Sequence, residues 1–212
     1  MAGVREQRPS WRPPVLSASE ERVWAREVAL HAHAGQLDKA GEPYIRHCQR
    51  VAEAVDGDKA KSVAFLHDVV EKAPGWTSER LLDSGFSPEV VAAVESLTHR
   101  TGETKDALTI RAASNALAAV VKRADLLDNL SQVERQGKDG TQYRRRLVLL
   151  DAAAAYDGHR AERESADRKI AASSARGEAG EIRREAADRV AKRLALLLGM
   201  AAAALIYLVL RF

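Results

Sequence analysis

The chain has 212 residues, 46% of them hydrophobic, and a single cysteine, so it can build one domain of ordinary size with a real core but no internal disulfide framework. Aromatic residues make up only 5% while alanine is plentiful, which favours helices over a sheet. The pI near 9.1 does not mark a nucleic-acid binder. Residues 21–155 hold 19 Lys/Arg against 20 Asp/Glu, and the positive excess lies at the two ends.

The first 14 residues carry arginines and three prolines without an apolar stretch, so they are not a secretory signal, and residues 1–16 are expected to be a disordered lead. Ser17 and Glu20 have capping-box spacing and open a helix through Val23, Val28 and Leu30 to His33. Gly35 ends it. Gly41 and Pro43 make residues 39–44 a turn, after which Ile45, Cys48, Val51, Ala52 and Val55 mark one face of a second helix, with Cys48 a small buried hydrophobe. A third helix is expected over about 59–72. It would carry His67, Asp68 and Glu71 together, with Glu71 on the face of His67.

Pro74-Gly75 breaks the chain, Thr77 can cap a short helix to about Leu82, and Ser87-Pro88 supplies an N-cap followed by proline at the first helical position. Val90, Val91, Val94 and Leu97 form its apolar stripe. Two more helices are expected over 104–113 and 115–130, a loop between Gly137 and Gly140, and a closing helix through Tyr143, Leu147 and Leu150. No alternating strand pattern is long enough to count, so residues 17–155 should form an all-α domain.

From Tyr156 to Arg193 the composition changes to 10 Lys/Arg and 8 Asp/Glu separated by alanines, which predicts a charged helical stalk. Leu194 to Leu210 then runs 17 residues without a charge between Lys192-Arg193 and Arg211. At about 1.5 Å per residue it reaches nearly across a hydrocarbon core, so residues 194–212 are expected to be a C-terminal transmembrane anchor. The cations before the span predict that the domain sits on the cytoplasmic face.

Burying His67 beside Asp68 in an apolar helix is costly unless something compensates them. A divalent cation would do so, because hard cations that serve hydrolysis take imidazole and carboxylate ligands and leave positions open for water and substrate. Glu71 could then take a proton from an attacking water. His31 is two residues from His33 and so faces elsewhere, while His99 and His159 are expected to face solvent.

Four blocks occur in one order: His33-Ala34-Gly35-Gln36; Lys39 through Gly41-Glu42-Pro43-Tyr44-Ile45-Arg46-His47; Phe65-Leu66-His67-Asp68-Val69-Val70-Glu71; and Val121-Lys122-Arg123-Ala124-Asp125 through Asn129. Over residues 20–155 the chain thereby resembles the hydrolase domain of RelA/SpoT-type alarmone enzymes, a branch of the HD-domain metal-dependent phosphohydrolases. The resemblance implies an HD helical bundle in which His33, His67, Asp68 and Asp125 hold one divalent cation, usually manganese. It implies that Glu71 positions or deprotonates the attacking water, that Asn129 contacts the nucleotide, that Lys39 and Tyr44 shape the mouth of the pocket, and that His47 sits in the signature turn. The family reaction removes pyrophosphate from the 3′ position of guanosine tetra- or pentaphosphate, and no synthetase domain fits in what remains of the chain.

Two departures stand out. Lys72 replaces the second acid that usually follows Glu71, and Asp128 stands where the alarmone enzymes commonly carry histidine. Lys72 could instead grip a substrate phosphate, and Arg26 on the first helix is a candidate for stacking on the base. The leading expectation is therefore an anchored nucleotide phosphohydrolase, with a nucleotide as its small-molecule partner. The alternative is a degenerate HD domain that binds a nucleotide without turnover and signals through its stalk. Nucleic acid is not expected as a partner, and the oligomeric state stays open.

Overall fold

The computed structural model describes residues 16–174 and 187–201. Among them all regular structure is helical apart from one isolated antiparallel bridge, Leu37 to Pro43, across the expected turn. The chain divides into two compact units, one ending at Ala155 and the other beginning at Tyr156. The expected disordered lead falls almost wholly outside the described residues.

In the first unit, α1 (Ala18–Ala32) starts from a complete capping box: Ser17 accepts from the Glu20 backbone N–H while the Glu20 carboxylate accepts from the Ser17 N–H at 2.8 Å. Glu21, on the inner side of α1, is buried and accepts the Ser87 backbone N–H at 2.6 Å, which joins α1 to the start of α6 (Pro88–Leu97). After the turn, α2 (Ile45–Glu53) buries His47, Cys48, Val51 and Ala52. The centre of the unit is α3 (Asp58–Leu66), which packs against α1, α2, α6 and α8 (Ala116–Arg135). That surround is why Ala60, Val63, Ala64, Phe65 and Leu66 are all buried rather than forming a single stripe.

The expected continuous helix over 59–72 is in fact two. Helix α3 stops at Leu66 and a one-turn α4 (Val69–Lys72) follows. The His67 ring supplies the reason: its Nδ1 donates at 2.7 Å to the Ala64 carbonyl, so a side chain competes for the acceptors of the last turn. Glu71 is consequently not on the helix of His67, and its place near the site comes from the turn at Asp68.

Helices α5 (Ser78–Asp83) and α6 (Pro88–Leu97) begin at the expected caps, Thr77 and Ser87, each accepting a backbone N–H three residues on. Helix α7 (Lys105–Ala113) is capped by Thr104. Helix α8 (Ala116–Arg135) outruns its expected end at 130 by more than a turn, and Val133 is buried with Leu126, Tyr143 and Leu150 in a second core cluster. Helix α9 (Thr141–Ser174) continues from the closing helix into the charged stretch.

In the second unit the described helical residues carry pairs at i,i+4 spacing, Arg160 with Glu164 and Lys192 with Asp188. Residues 187–201 are helical, with Leu196, Leu198 and Met200 exposed. Among the described residues no helix is long and apolar enough to cross a membrane, and most of the expected anchor, 202–212, lies outside them.

Candidate metal centre

Three elements converge on one buried point. Helix α2 brings His47, the α3–α4 junction brings His67 and Asp68, and α8 brings Asp125 one turn ahead of Asp128 and Asn129. His47, His67 and Asp125 are each less than a tenth exposed. One ligand atom from each of His47, His67 and Asp68 falls within a 4.8 Å group. Asp125 Oδ1 lies beside it, 3.5 Å from His47 Nε2 and 4.0 Å from His67 Nε2.

The hydrogen bonds decide which imidazole nitrogen is bare. A carbonyl can only accept, so His67 carries its proton on Nδ1, toward Ala64, and leaves a lone pair on Nε2. That Nε2 is buried and makes no hydrogen bond, although it lies 3.1 Å from Asp68 Oδ2. A lone pair facing a carboxylate at that distance lacks the positive charge that belongs between them. A divalent cation fits: its donors would be two imidazole nitrogens and two carboxylates, with the outer nitrogen of each imidazole held by an acceptor. His47 meets the same requirement, its Nδ1 being 2.7 Å from Asp128 Oδ2.

The polar surroundings are arranged around charge. Burial would raise the Asp68 carboxyl, but positive charge at His67 and at Lys72 holds it well below the usual range, the charge that a cation between His67 and Asp68 would supply in place of a proton. Asp125 is likewise buried yet depressed, by Lys122 at 2.9 Å and by His47. Burial opposes a charge on His47, and Asp125 facing Nε2 and Asp128 on Nδ1 outweigh that and push it up to about 9, the Nε2 proton sitting where a cation would replace it. Lys122 stays above the ordinary lysine value despite its burial, because Asp125 faces it.

His33 stands apart from the quartet expected of it. Its ring packs 4.8 Å from that of Tyr44, and its Nδ1 meets Gln36 Oε1 at 3.0 Å. Gln36 is oriented by donating to the carbonyls of Ala32 and Lys72. His33 Nε2 is buried without a partner, and burial lowers its pKa. The His33 position is thus taken by His47 in the compact group. The resemblance places His47 only in the signature turn, although Tyr44 at the N-cap of α2 and His47, Cys48 and Val51 within it lie at helical spacing on one face.

A cavity of about 770 Å³ opens over this point, lined by Lys39, Tyr44, Glu71, Lys72 and Asn129 among the expected residues. Asn129 donates to Asp125 Oδ1 at 2.5 Å and accepts from Lys39, whose ammonium also lies 5.0 Å from the Tyr143 ring centre. Tyr44 donates to Asp68 Oδ2. Glu71 is held from both sides, by the His99 backbone N–H at 3.1 Å and by Lys105 at 3.2 Å. His99 is only half-exposed, its Nε2 donating to the Glu103 carbonyl at 2.6 Å, so it does not simply face solvent. Lys105, Lys122 and Arg146 also line the cavity and were not singled out from the sequence. Arg26 does not belong to it: exposed on α1, it pairs with Glu27 at 3.0 Å.

A family model described as "HD domain" matches residues 25–157. A "probable GTP pyrophosphokinase" of Mycobacterium leprae (strain TN) is 37% identical over 119 residues, covering 50% of this chain and 15% of that protein. A "probable guanosine-3′,5′-bis(diphosphate) 3′-pyrophosphohydrolase" of Synechocystis sp. (strain ATCC 27184 / PCC 6803 / Kazusa) is 33% identical over 121 residues, covering 50% of this chain and 16% of that one. The chain therefore spans about a sixth of the length of these curated relatives. A solved structure described as a metazoan ortholog of SpoT that hydrolyses ppGpp superposes with a TM-score of 0.52 at 23% identity, covering 67% of this chain and 87% of that one, a likeness of fold. The matched segment takes in all four blocks and the convergent histidines and aspartates, and the chain belongs to the HD-domain family.

Proposed function

We propose that the chain is a metal-dependent phosphohydrolase acting on a phosphorylated nucleotide, with guanosine 3′-pyrophosphate alarmones as its substrate class. The observation that carries this is the pair of imidazoles, His47 and His67, each with Nδ1 committed to an acceptor and Nε2 turned to the carboxylates of Asp68 and Asp125. These four residues would hold one divalent cation, and the mixed imidazole and carboxylate set suits manganese. Bound there, the cation supplies Lewis acidity, making water a better nucleophile and neutralising phosphoryl charge.

The remaining chemistry belongs to side chains. Glu71 takes the proton of the attacking water, and its two donors keep its carboxylate oriented toward the cavity. Lys39, Lys72, Lys105, Lys122 and Arg146 surround the cavity with positive charge, as a polyanionic substrate requires. Asn129 and Tyr44 line the wall on which the nucleotide would rest. The printed name of the Synechocystis relative specifies the guanosine 3′-pyrophosphate substrate. The uncharged run 194–210, with cations at both ends, supports anchoring at the cytoplasmic face of a membrane.

The test is incubation of the detergent-purified chain with Mn2+ and a nucleotide panel, with products identified by mass spectrometry. Guanosine 3′-pyrophosphates should yield pyrophosphate and the 3′-hydroxyl nucleotide. Intact substrates under every divalent metal would remove the enzyme reading. One observation favours a second reading, a nucleotide-binding module without turnover: the Lys72 ammonium already occupies Asp68 Oδ2.

A further inference from the structure

Asp128 lies on α8 one turn after Asp125, yet the two carboxylates address opposite nitrogens of the same imidazole. Asp125 Oδ1 is 3.5 Å from His47 Nε2, whereas Asp128 Oδ2 is 2.7 Å from His47 Nδ1. Asp128 is itself nearly saturated. Arg50 donates to it through Nε at 2.6 Å and Nη2 at 3.2 Å, and Gln132 donates through Nε2 at 2.5 Å. Both Asp128 oxygens are thereby engaged as acceptors, in a forked charge-assisted pairing with Arg50. Arg50 also donates to Asp38 Oδ2 at 2.9 Å, and Asp38 Oδ1 accepts the backbone N–H groups of Ala40 and Glu42 in the turn that carries Lys39.

We infer that Asp128 is a positioning residue of the metal centre: it keeps the His47 proton on Nδ1 and so presents the Nε2 lone pair to the site. The inference rests on the metal reading proposed above. Asp128 Oδ1 accepts from Arg50 Nε, and Oδ2 accepts from Arg50 Nη2 and Gln132 Nε2, so the carboxylate is the acceptor in the 2.7 Å contact and the hydrogen belongs to His47. Without Asp128 the ring could adopt the other tautomer, turning Nε2–H toward Asp125 and removing a ligand. Arg50 extends the arrangement, since the same guanidinium braces Asp128 and the Lys39 turn at the cavity wall. A neutral histidine at position 128 has one acceptor nitrogen and could not accept from Arg50 and His47 together, so the arrangement of Arg50, Asp38 and Asp128 depends on a carboxylate there.

The full chain, purified in detergent, is titrated with Mn2+ alone by calorimetry. Asp128→Asn should weaken binding roughly tenfold and Asp128→Ala up to about a hundredfold, the range for orienting partners of ligand histidines. Asp151→Asn, which breaks only an exposed pair with Arg123, should leave it unchanged. In histidine labelled with 15N and loaded with Zn2+, His47 should carry its proton on Nδ1 in the wild type and lose that preference in Asp128→Ala, a change that loss of packing alone does not produce. If Asp128→Ala does not fold, the Asp128→Asn titration decides. Wild-type Mn2+ affinity in the Asp128 variants, with the tautomer unmoved, overturns the positioning role and leaves the metal reading standing. A wild-type chain that binds no divalent cation overturns both.

Discussion

The ammonium of Lys72 lies 2.7 Å from Oδ2 of Asp68 and 4.4 Å from the centre of the Tyr44 ring, also donating to the Tyr44 hydroxyl. One turn of α4 thus places a cation of the chain on a carboxylate that the proposed metal needs. The two charges compete for one oxygen, and substrate phosphate offers the displaced ammonium another partner within the same cavity. Removing the competitor should favour the metal. Lys72→Met should tighten Mn2+ binding roughly three- to tenfold, on the order of 1 kcal/mol for a partly exposed pair. Lys72→Asp should go further and raise turnover of guanosine 3′-pyrophosphates. Unchanged Mn2+ affinity in Lys72→Met, measured by calorimetry, would show that the pair opens freely.

Of the two cavity carboxylates outside the metal quartet, Asp38 is engaged by Arg50 and the turn amides, which leaves Glu71 to accept a proton from water. Its oxygens accept from His99 N–H and Lys105, neither of which would hold a metal. Glu71→Gln should therefore lower turnover by about 10²- to 10⁴-fold, the usual weight of a general base, with Mn2+ affinity kept. His67→Ala or Asp68→Ala should instead lose the ion, as elemental analysis would report. A Glu71→Gln variant that also loses its metal would move Glu71 into the coordination sphere.

Most helix starts were readable because a cap is a local device: Ser17 with Glu20, Thr77, and Ser87 with Pro88 each satisfy backbone N–H groups within a few residues. The break at His67 was not, since Phe65-Leu66-His67-Asp68-Val69-Val70 contains neither glycine nor proline and reads as continuous helix. It depends on a side-chain bond to Ala64. His67 and Asp68 emerged from the sequence as a pair because burying them demands compensation, and Asp125 joined them through the resemblance. Choosing between His33 and His47, both buried, required knowing which nitrogen each ring presents, and that is set by Gln36, 3 residues from His33, and by Asp128, 81 residues from His47. The spacing of Asp125, Asp128, Asn129 and Gln132 on one face of α8 was the available signal for the second of them.

The tail makes a prediction about where the protein is found. Residues 194–210 carry no charge and follow Lys192-Arg193, so the full chain should sediment with membranes and resist alkaline carbonate extraction. A chain ending at Arg193 should be released into the supernatant. Full-length protein that stays in solution without detergent would mean that the run is covered by protein instead.

The loop before α7 carries the last prediction. Arg111 donates to Glu103 through Nε at 2.8 Å and Nη2 at 2.7 Å, and its guanidinium also donates to the carbonyls of Glu95 and Thr98 at 2.9 Å each. This pins the segment whose His99 N–H holds Glu71. Arg111's hydrogen bonds draw the Glu103 carboxyl down to about 2, from an ordinary value of 4.5. The folded value is the lower one, so the contribution to stability is complete above 4.5 and disappears as pH falls through about 2. Glu103→Gln should therefore unfold at lower urea than wild type at pH 7, with the gap closing as the pH is taken from 4.5 toward 2. Because the loosened loop also frees Glu71, the variant should lose kcat more than KM at neutral pH. A gap in urea midpoint that stays constant from pH 7 to about 2 would show that the carboxylate's charge is not what holds the loop.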